Sequence, residues 1–309
     1  MMRAAIVGLT LATGLLAGSL VRAEGGLPPG WSVHAMQVIG GPEGLVCTGS
    51  HAYARSWSGD VAAWDGARWT ALPRLEQSTY GRSIGASPDG HVYLEGGAGV
   101  VEWDGARWIR RALDRWQGDL DGQFAAPSAS EVYYVGRGRI ARGGAEGFAT
   151  FAGGTWRSLS AVAIVGGEVW VGGQGGTVLK FSNGAWTRLD TRTDRWVRRL
   201  VVFAPDDVWA LTDGEAWNRS SVLHWDGRAW ERREAGLPAD KPIEGLGGAR
   251  DAMYAAGDFG LMRWSGSAWT VEIAAAALGE GYHGLTEVCA TDTQIVVADR
   301  KGEALVRQR

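Results

Sequence analysis

WDGARW occupies Trp64–Trp69 and recurs unchanged at Trp103–Trp108. Each copy has an aromatic residue, a short turn with glycine, and a second aromatic residue five positions later. Because Asp-Gly between β-forming residues is typical of a two-residue type I′ turn, the stretch predicts a tight β-hairpin. Degenerate copies end at later tryptophans: FAGGTW at Trp156, FSNGAW at Trp186, WDGRAW at Trp230 and WSGSAW at Trp269.

The closing tryptophans of these copies follow one another at intervals of 39, 48, 30, 44 and 39 residues. A period near 40 residues with several strands per unit is typical of propeller blades. We predict four antiparallel strands per unit, named a to d in chain order, with the Asp-Gly turn between c and d. A second marker, at the start of each strand b, repeats in step: His51–Tyr53, His91–Tyr93, Glu131–Tyr133, Glu168–Trp170, Asp207–Trp209 and Ala252–Tyr254.

The two ends of the chain each carry part of a blade. Near the N-terminus, Gly30–Val33 matches strand d but has no earlier strands of its own. If it completes the last blade, the ring closes and no open strand edge is left. Residues 24–309 are then predicted to form one all-β domain, a seven-bladed β-propeller of four-stranded antiparallel blades, with six or eight blades as alternatives. The last unit offers only three strands: Leu285–Ala290, Ile295–Ala298 and Ala304–Arg307.

Residues 1–23 are typical of a secretory signal peptide. Arg3 precedes the apolar stretch Ala4–Leu20, and small residues then favour cleavage before Glu24. The alternative is a membrane anchor, but several glycines and threonines dilute the apolar stretch. Ser19 stands where a lipoprotein would need its lipidated cysteine, so no lipidation is expected. We expect a secreted or periplasmic protein without a membrane span.

The composition argues against nucleic acid and anionic lipid as partners, and it indicates a bacterial protein. The formal net charge of −3 gives no general basic field for nucleic acid or anionic lipid. The 48 glycines and 17 tryptophans favour short strands and tight turns over packed helices. Basic residues are nearly all arginine, which together with abundant alanine and glycine indicates a GC-rich bacterial genome.

Cys47 and Cys289 are the two cysteines of the chain. Cys47 lies six residues before Tyr53 in the first strand b, and Cys289 lies six residues before Ile295 in the last one. They are therefore predicted on strands a of the first and last blades, which become neighbours only when the ring closes. One interpretation is a disulfide that locks the junction in an oxidising compartment. The other is a pair of buried free thiols, since Cα atoms more than about 7 Å apart cannot be bridged.

Catalytic signatures are absent from the sequence. The five histidines are scattered, and there is no phosphate-binding glycine loop with its lysine and no nucleophile-elbow motif. We expect no metal and no cofactor, and we favour a non-enzymatic role while leaving catalysis open.

Four tryptophans fall outside the repeat. Trp57 and Trp217 belong to b–c loops, whereas Trp116 and Trp196 belong to d–a connections, each within an Asp-Arg-Trp triplet. Both kinds of loop emerge on the same face of a propeller, and binding residues concentrate in loops on rigid scaffolds. Exposed Trp and Arg are frequent interface anchors. The predicted anchors therefore also include residues beside them and in other d–a connections: Arg115, Arg195, Tyr80 and His283.

Two long insertions are predicted on the same face, Arg137–Glu146 in blade 3 and Asp213–Ser221 in blade 5. The alternative to binding is that each off-pattern tryptophan fixes its own loop onto the blade below.

Blade 5 carries a resemblance to a known group of proteins. APDDVWAL at Ala204–Leu211 and LHWDGRAW at Leu223–Trp230 resemble the units of bacterial secreted β-propellers, distant relatives of Trp-Asp repeat, galactose-oxidase-central-domain and sialidase-like propellers. The resemblance implies the scaffold only. Sialidase-like enzymes carry Asp-boxes at the c–d turn, and only the D-G-x-x-W tail of that motif is present here. Related propellers serve as binding platforms and assembly factors.

Three functions are compatible with this organisation. The first is a monomeric, non-catalytic scaffold that binds a protein or glycan through the face with the b–c and d–a loops. The second is a glycoside hydrolase or lyase with two carboxylates at the central funnel, about 5–10 Å apart if it hydrolyses. The third is a structural envelope component. Fold alone does not choose among them.

Overall fold

A computed structural model describes residues 26–38, 40–75, 83–96, 99–113, 122–136, 138–152, 154–214, 219–279 and 284–309. In these ranges the chain forms seven four-stranded antiparallel sheets arranged as the blades of a β-propeller. Its non-β element there is a single 3₁₀ turn at Ala275–Leu278. None of the described helices is long and apolar enough to cross a membrane.

The strands follow the a-to-d order in every blade. The first strand of the chain is β1 (Trp31–Ala35). Blade 1 contains β2 (Pro42–Thr48), β3 (His51–Ser56), β4 (Val61–Trp64) and β5 (Trp69–Ala71). Blade 2 contains β6 (Ile84–Ala86), β7 (Val92–Glu95), β8 (Gly99–Trp103) and β9 (Trp108–Ala112). Blade 3 contains β10 (Gln123–Ser128), β11 (Glu131–Gly136), β12 (Arg139–Gly144) and β13 (Gly147–Ala152).

Blade 4 contains β14 (Leu159–Val165), β15 (Glu168–Gly173), β16 (Thr177–Ser182) and β17 (Ala185–Asp190). Blade 5 contains β18 (Val197–Ala204), β19 (Asp207–Asp213), β20 (Ser220–Trp225) and β21 (Trp230–Arg232). Blade 6 contains β22 (Ile243–Ala249), β23 (Ala252–Gly257), β24 (Gly260–Trp264) and β25 (Trp269–Ala274). Blade 7 contains β26 (Leu285–Ala290), β27 (Gln294–Asp299) and β28 (Glu303–Gln308).

Blade 7 is completed by β1, which pairs with β28 from Trp31 opposite Arg307 to Ala35 opposite Glu303. The predicted blade count and the closure by the N-terminal strand are therefore confirmed. The closed ring protects strand edges that an open array would leave unpaired.

The junction between blades 7 and 1 is also held by side chains. The indole Nε1 of buried Trp64 donates to the Gln294 Oε1 at 2.9 Å, and the Gln294 amide donates to the His51 carbonyl at 3.0 Å. Cys47 and Cys289 form a disulfide with their Cα atoms 5.6 Å apart. Of the two alternatives that the sequence left open, the structure contains the bridge.

The core consists of seven clusters of buried side chains among the described residues, one between each pair of neighbouring blades. Apart from Trp156, the repeated tryptophans belong to these clusters or lie against them. In the c–d hairpins their rings pair across the strands, as in Trp64–Trp69 and Trp103–Trp108 with centroids 5.8 and 5.4 Å apart. The repeat is thus a packing motif, because aromatic side chains bury much apolar surface between sheets.

The Asp-Gly turn differs from the predicted two-residue type I′ hairpin. Trp64 pairs with Trp69, so the loop has four residues, and within it Gly66 takes the positive φ, at 97°. The Asp65 carboxylate accepts backbone hydrogen bonds from Ala67 and Arg68, both at 2.9 Å. These two donors lower the pKa of Asp65. The aspartate therefore stabilises a wider turn through its side chain instead of adopting a left-handed backbone.

Blade 3 corrects the assignment of FAGGTW as a c–d hairpin. The hairpin lies upstream, where Arg139–Gly144 pairs with Gly147–Ala152 around Ala145 and Glu146. Most of the predicted insertion Arg137–Glu146 is accordingly strand c and its turn, not a loop. The reason is that GGAEG at 143–147 makes the tight turn, so the later Gly-Gly pair is left to the connection.

Candidate functional site

The site is built on the end of the propeller where b–c turns and d–a connections meet. In each blade strands a and c run toward the opposite end, so every b–c and d–a segment returns to this one. We call it the bc/da face. Its described segments are 36–38, 40–41, 57–60, 72–75, 83, 96, 113, 122, 138, 154–158, 174–176, 191–196, 214, 219, 233–242, 258–259, 275–279, 284 and 300–302.

Two of the predicted anchor tryptophans lie here with exposed rings. Trp57 follows strand b of blade 1 and is 51% exposed. Trp196 ends the connection from blade 4 to blade 5 and is 37% exposed. Arg195, which precedes Trp196, is partly buried. The other predicted anchors lie outside the described residues: Tyr80, Arg115, Trp116, Trp217 and His283.

Trp57 stands on a firmly bonded turn. The hydroxyls of Ser56 and Ser58 bond to each other, and Ser58 donates to the Asp60 carboxylate at 2.9 Å. Arg74, from the connection to blade 2, pairs with Asp60 at 2.7 Å. The hydrogen bond from Arg74 lowers the pKa of Asp60. The turn is therefore tied to the next connection while the Trp57 ring faces solvent.

Trp196 is fixed by its indole nitrogen. Nε1 donates to the Ser160 hydroxyl at 2.6 Å, and that hydroxyl in turn lies 2.8 Å from the Val197 carbonyl oxygen. The Gly176 amide donates to the Arg195 carbonyl at 2.7 Å, which joins the connection to the b–c turn of blade 4. A preorganised aromatic ring loses little conformational entropy when a partner covers it.

Trp156 is a site residue that the sequence interpretation missed. The sequence predicts it as the closing tryptophan of a c–d hairpin, but it lies in the connection from blade 3 to blade 4 and is 85% exposed. The Arg157 guanidinium lies 5.6 Å from the centroid of its ring, and Arg157 Nη1 donates to the Gly175 carbonyl at 2.9 Å. The available signal was the 30-residue interval to Trp186, too short for a blade of about 40 residues.

A cavity of about 740 Å³ opens at the centre of this face. The first residues of all seven strands a surround it, together with Trp196. Three of its carboxylates pair with arginines. Glu287 of blade 7 binds Arg199 of blade 5, and Glu244 binds Arg300 at 3.1 Å. The third pair joins Asp213 to Arg198 at 2.8 Å. The funnel wall thus contains three ion pairs, and the pair of Arg199 with Glu287 joins non-adjacent blades.

Metal-binding geometry is not found among the residues that the structure describes, since no three His, Cys, Asp or Glu side chains converge there. Two histidines have structural partners instead. His91 bonds to Glu102 at 2.7 Å and His224 to Asp207 at 2.9 Å, each across strands b and c.

No protein-family model and no curated protein sequence matches this chain. Solved structures do. A structure of YCF48 bound to D1 peptide has a TM-score of 0.70 at 14% identity, covering 91% of this chain and 95% of that one. Virginiamycin B lyase from Staphylococcus aureus gives 0.69 at 11% identity, with 90% and 99% covered. The WD40 propeller domain of Doa1 gives 0.67 at 10%, with 91% and 98% covered. The fold is a shared β-propeller. At these identities the likeness extends to the fold alone.

Proposed function

We propose that this protein is a secreted or periplasmic, non-catalytic scaffold that binds a protein or a glycan through the bc/da face. The observation that carries the proposal is the distribution of exposed tryptophans. Among the described residues, the exposed tryptophans all lie on this face, and they are Trp57, Trp156 and Trp196. They stand in three different loops, each on a rigid blade.

The exposed rings have a free-energy reason to be covered. Burying a tryptophan removes roughly 150–250 Å² from water. At about 25 cal/mol per Å² this amounts to on the order of 4–6 kcal/mol per fully exposed ring, before the costs of association. Trp is also enriched among residues that dominate binding energy. An anchoring role therefore accounts for three exposed tryptophans that are not buried in the folded core.

The funnel supports binding over hydrolysis. A glycoside hydrolase needs two carboxylates arranged for acid and base or nucleophile roles. The carboxylates of Glu244, Glu287 and Asp213 are instead bound to arginines of the same wall. Such pairs rigidify the opening and leave a polar rim around the aromatic residues.

Two further observations support the proposal, one for location outside the cytoplasm and one for a peptide or protein partner. A disulfide between Cys47 and Cys289 fits an oxidising compartment, in line with the signal peptide expected over residues 1–23. The structurally similar YCF48 was solved bound to a D1 peptide, which supports a peptide or protein as the partner.

The proposal is tested with a random 12-residue peptide library on phage and an array of glycans, both probed with the purified mature protein. Selected ligands are then measured on the triple variant Trp57→Ala/Trp156→Ala/Trp196→Ala. The matched control is Phe151→Ala/Val271→Ala, which removes exposed apolar side chains from the outer strands of blades 3 and 6 instead of from the loops of this face.

We expect at least one ligand class to lose tenfold or more in affinity for the triple variant and less than twofold for the control. Circular dichroism checks that both variants fold. If no ligand is enriched, or if all ligands bind the triple variant as tightly as wild type, the proposal is wrong.

A further inference from the structure

A second feature of the bc/da face is a groove of about 550 Å³ between blades 4 and 5, beside the central funnel. Its charged lining consists of four arginines and two aspartates, namely Arg157, Arg192, Arg195, Arg232, Asp190 and Asp194. Arg157 directly follows the exposed Trp156, and Arg195 directly precedes Trp196. Two of the groove's arginines are therefore chain neighbours of the exposed tryptophans that the proposed function uses.

The lining of the groove has a net positive charge, although the whole chain has a net negative charge. Four arginines against two aspartates leave a local excess of two positive charges, whereas the whole chain has a formal net charge of −3. A concave cleft with an excess of one sign of charge attracts ligands of the opposite sign. The lining thus selects for anionic groups on the part of the partner that enters it.

Two of the four guanidinium groups are held in position by contacts within the chain. Arg157 uses Nη1 on the Gly175 carbonyl, and Arg195 lies 3.4 Å from Asp194. The exposed Arg192 side chain has no ion pair or hydrogen bond within the described ranges, and its backbone holds a left-handed φ of 54° secured by the Asp190 carboxylate. Each guanidinium presents several N–H donors to a ligand.

We propose that this groove binds an acidic segment of a partner protein, with aspartate or glutamate carboxylates on the arginines and an apolar side chain against Trp156 or Trp196. The inference rests on the proposed function and specifies its partner. Arginine donates only, and it matches carboxylates with paired hydrogen bonds.

Trp156 favours a protein segment over an anionic glycan. Its ring stands 85% exposed with one face beneath the Arg157 guanidinium, 5.6 Å from the centroid. A projecting ring of this kind fits a pocket on a partner, as interface anchors do. A sugar platform would instead need a broad, flat face directed into the groove.

The test uses fluorescence anisotropy with a labelled decapeptide of alternating aspartate and glutamate. Its asparagine–glutamine counterpart and a polygalacturonate oligomer serve as comparison probes. The groove variant is Arg192→Gln/Arg195→Gln. The matched control, Arg107→Gln/Arg228→Gln, removes the same charge from c–d turns on the opposite face, where both side chains are exposed.

We expect the acidic peptide to bind wild type and the control within twofold of each other, and the groove variant at least tenfold more weakly. Affinity for wild type should also fall steeply as sodium chloride rises from 50 to 300 mM, because exposed charges are screened. The inference is overturned if both variants bind alike, if the amide peptide binds equally well, or if polygalacturonate binds the groove more tightly than the peptide.

The outcomes separate this inference from the proposed function. If library ligands depend on the tryptophans but not on Arg192 and Arg195, the scaffold stands and the acidic groove is wrong. If the acidic peptide depends on the arginines while no selected ligand depends on the tryptophans, the groove stands and the tryptophan face is wrong.

Discussion

Removal of the disulfide by Cys47→Ala/Cys289→Ala should reveal how much the covalent closure contributes to stability. The two cysteines are 242 positions apart, so the bridge closes most of the 309-residue chain into one loop. In the chain-entropy treatment a loop of this length lowers the entropy of the unfolded state by an amount equivalent to about 5.5 kcal/mol at 25 °C. We therefore expect the double variant to lose about 5 kcal/mol of unfolding free energy.

The variant should still fold, because β1 remains paired with β28 and Trp64 remains bonded to Gln294 across the same junction. The stabilisation acts on the unfolded chain, which the bridge keeps compact. Without it the unfolded state exposes more surface, so the denaturant m-value should rise as the free energy falls.

The assay is urea unfolding followed by tryptophan fluorescence, in oxidising buffer and with a phosphine reductant. Reduced wild type should match the double variant, and reductant should leave the double variant unchanged. A loss below about 1 kcal/mol would refute the loop-entropy reasoning. A large loss with an unchanged m-value would place the effect in the folded state instead.

Three further predictions concern the core, the turns and the exposed ring. Gly247→Ala should lower the unfolding free energy by about 1–3 kcal/mol in urea titrations, because its Cβ would lie 2.2 Å from the Val288 carbonyl oxygen of the next blade; wild-type stability would contradict this. Two backbone donors lower the pKa of Asp226 from 3.8, so its contribution is present above about pH 4 and lost as pH falls through the folded pKa. Asp226→Asn should therefore flatten the decline of the urea midpoint below pH 4, and an unchanged slope would count against the assignment. Trp156→Ala should leave the thermal midpoint within about 1 °C of wild type, whereas Trp64→Ala should cost about 3–5 kcal/mol, since the rings are 85% and 2% exposed; equal losses would refute the placement of Trp156.

Much of the fold follows from local sequence signals. Strand-b markers such as Asp207–Trp209 and the Trp-Asp-Gly turns recur at regular intervals, so the blades can be counted without knowing any contact. The last unit has only three strands, and the strand at Trp31 matches the missing fourth one, so the two ends together predict a closed ring. These signals succeed because each blade is one supersecondary unit whose pattern is short-range.

The same reliance on local pattern explains the error in blade 3. An aromatic residue, two glycines and a tryptophan look alike whether they form a buried hairpin or a surface connection. Hydrogen-bonded pairing decides between them, and here Arg139–Gly144 found its partner earlier in the chain. Trp156, predicted to close a hairpin, is instead the most exposed of the described tryptophans on this face.

The amino-acid sequence by itself determined the all-β class, the seven blades, the closure by the N-terminal strand and the face on which Trp57 and Trp196 emerge. Tertiary structure alone decided which rings are exposed and which charges meet. Arg199 pairs with Glu287 from two blades away, and Arg157 shares a groove with Arg192 of the following connection. Periodicity encodes the blade, whereas the angular position of each blade around the ring brings distant residues together. Such contacts depend on the closed geometry of the ring, and no local pattern records it.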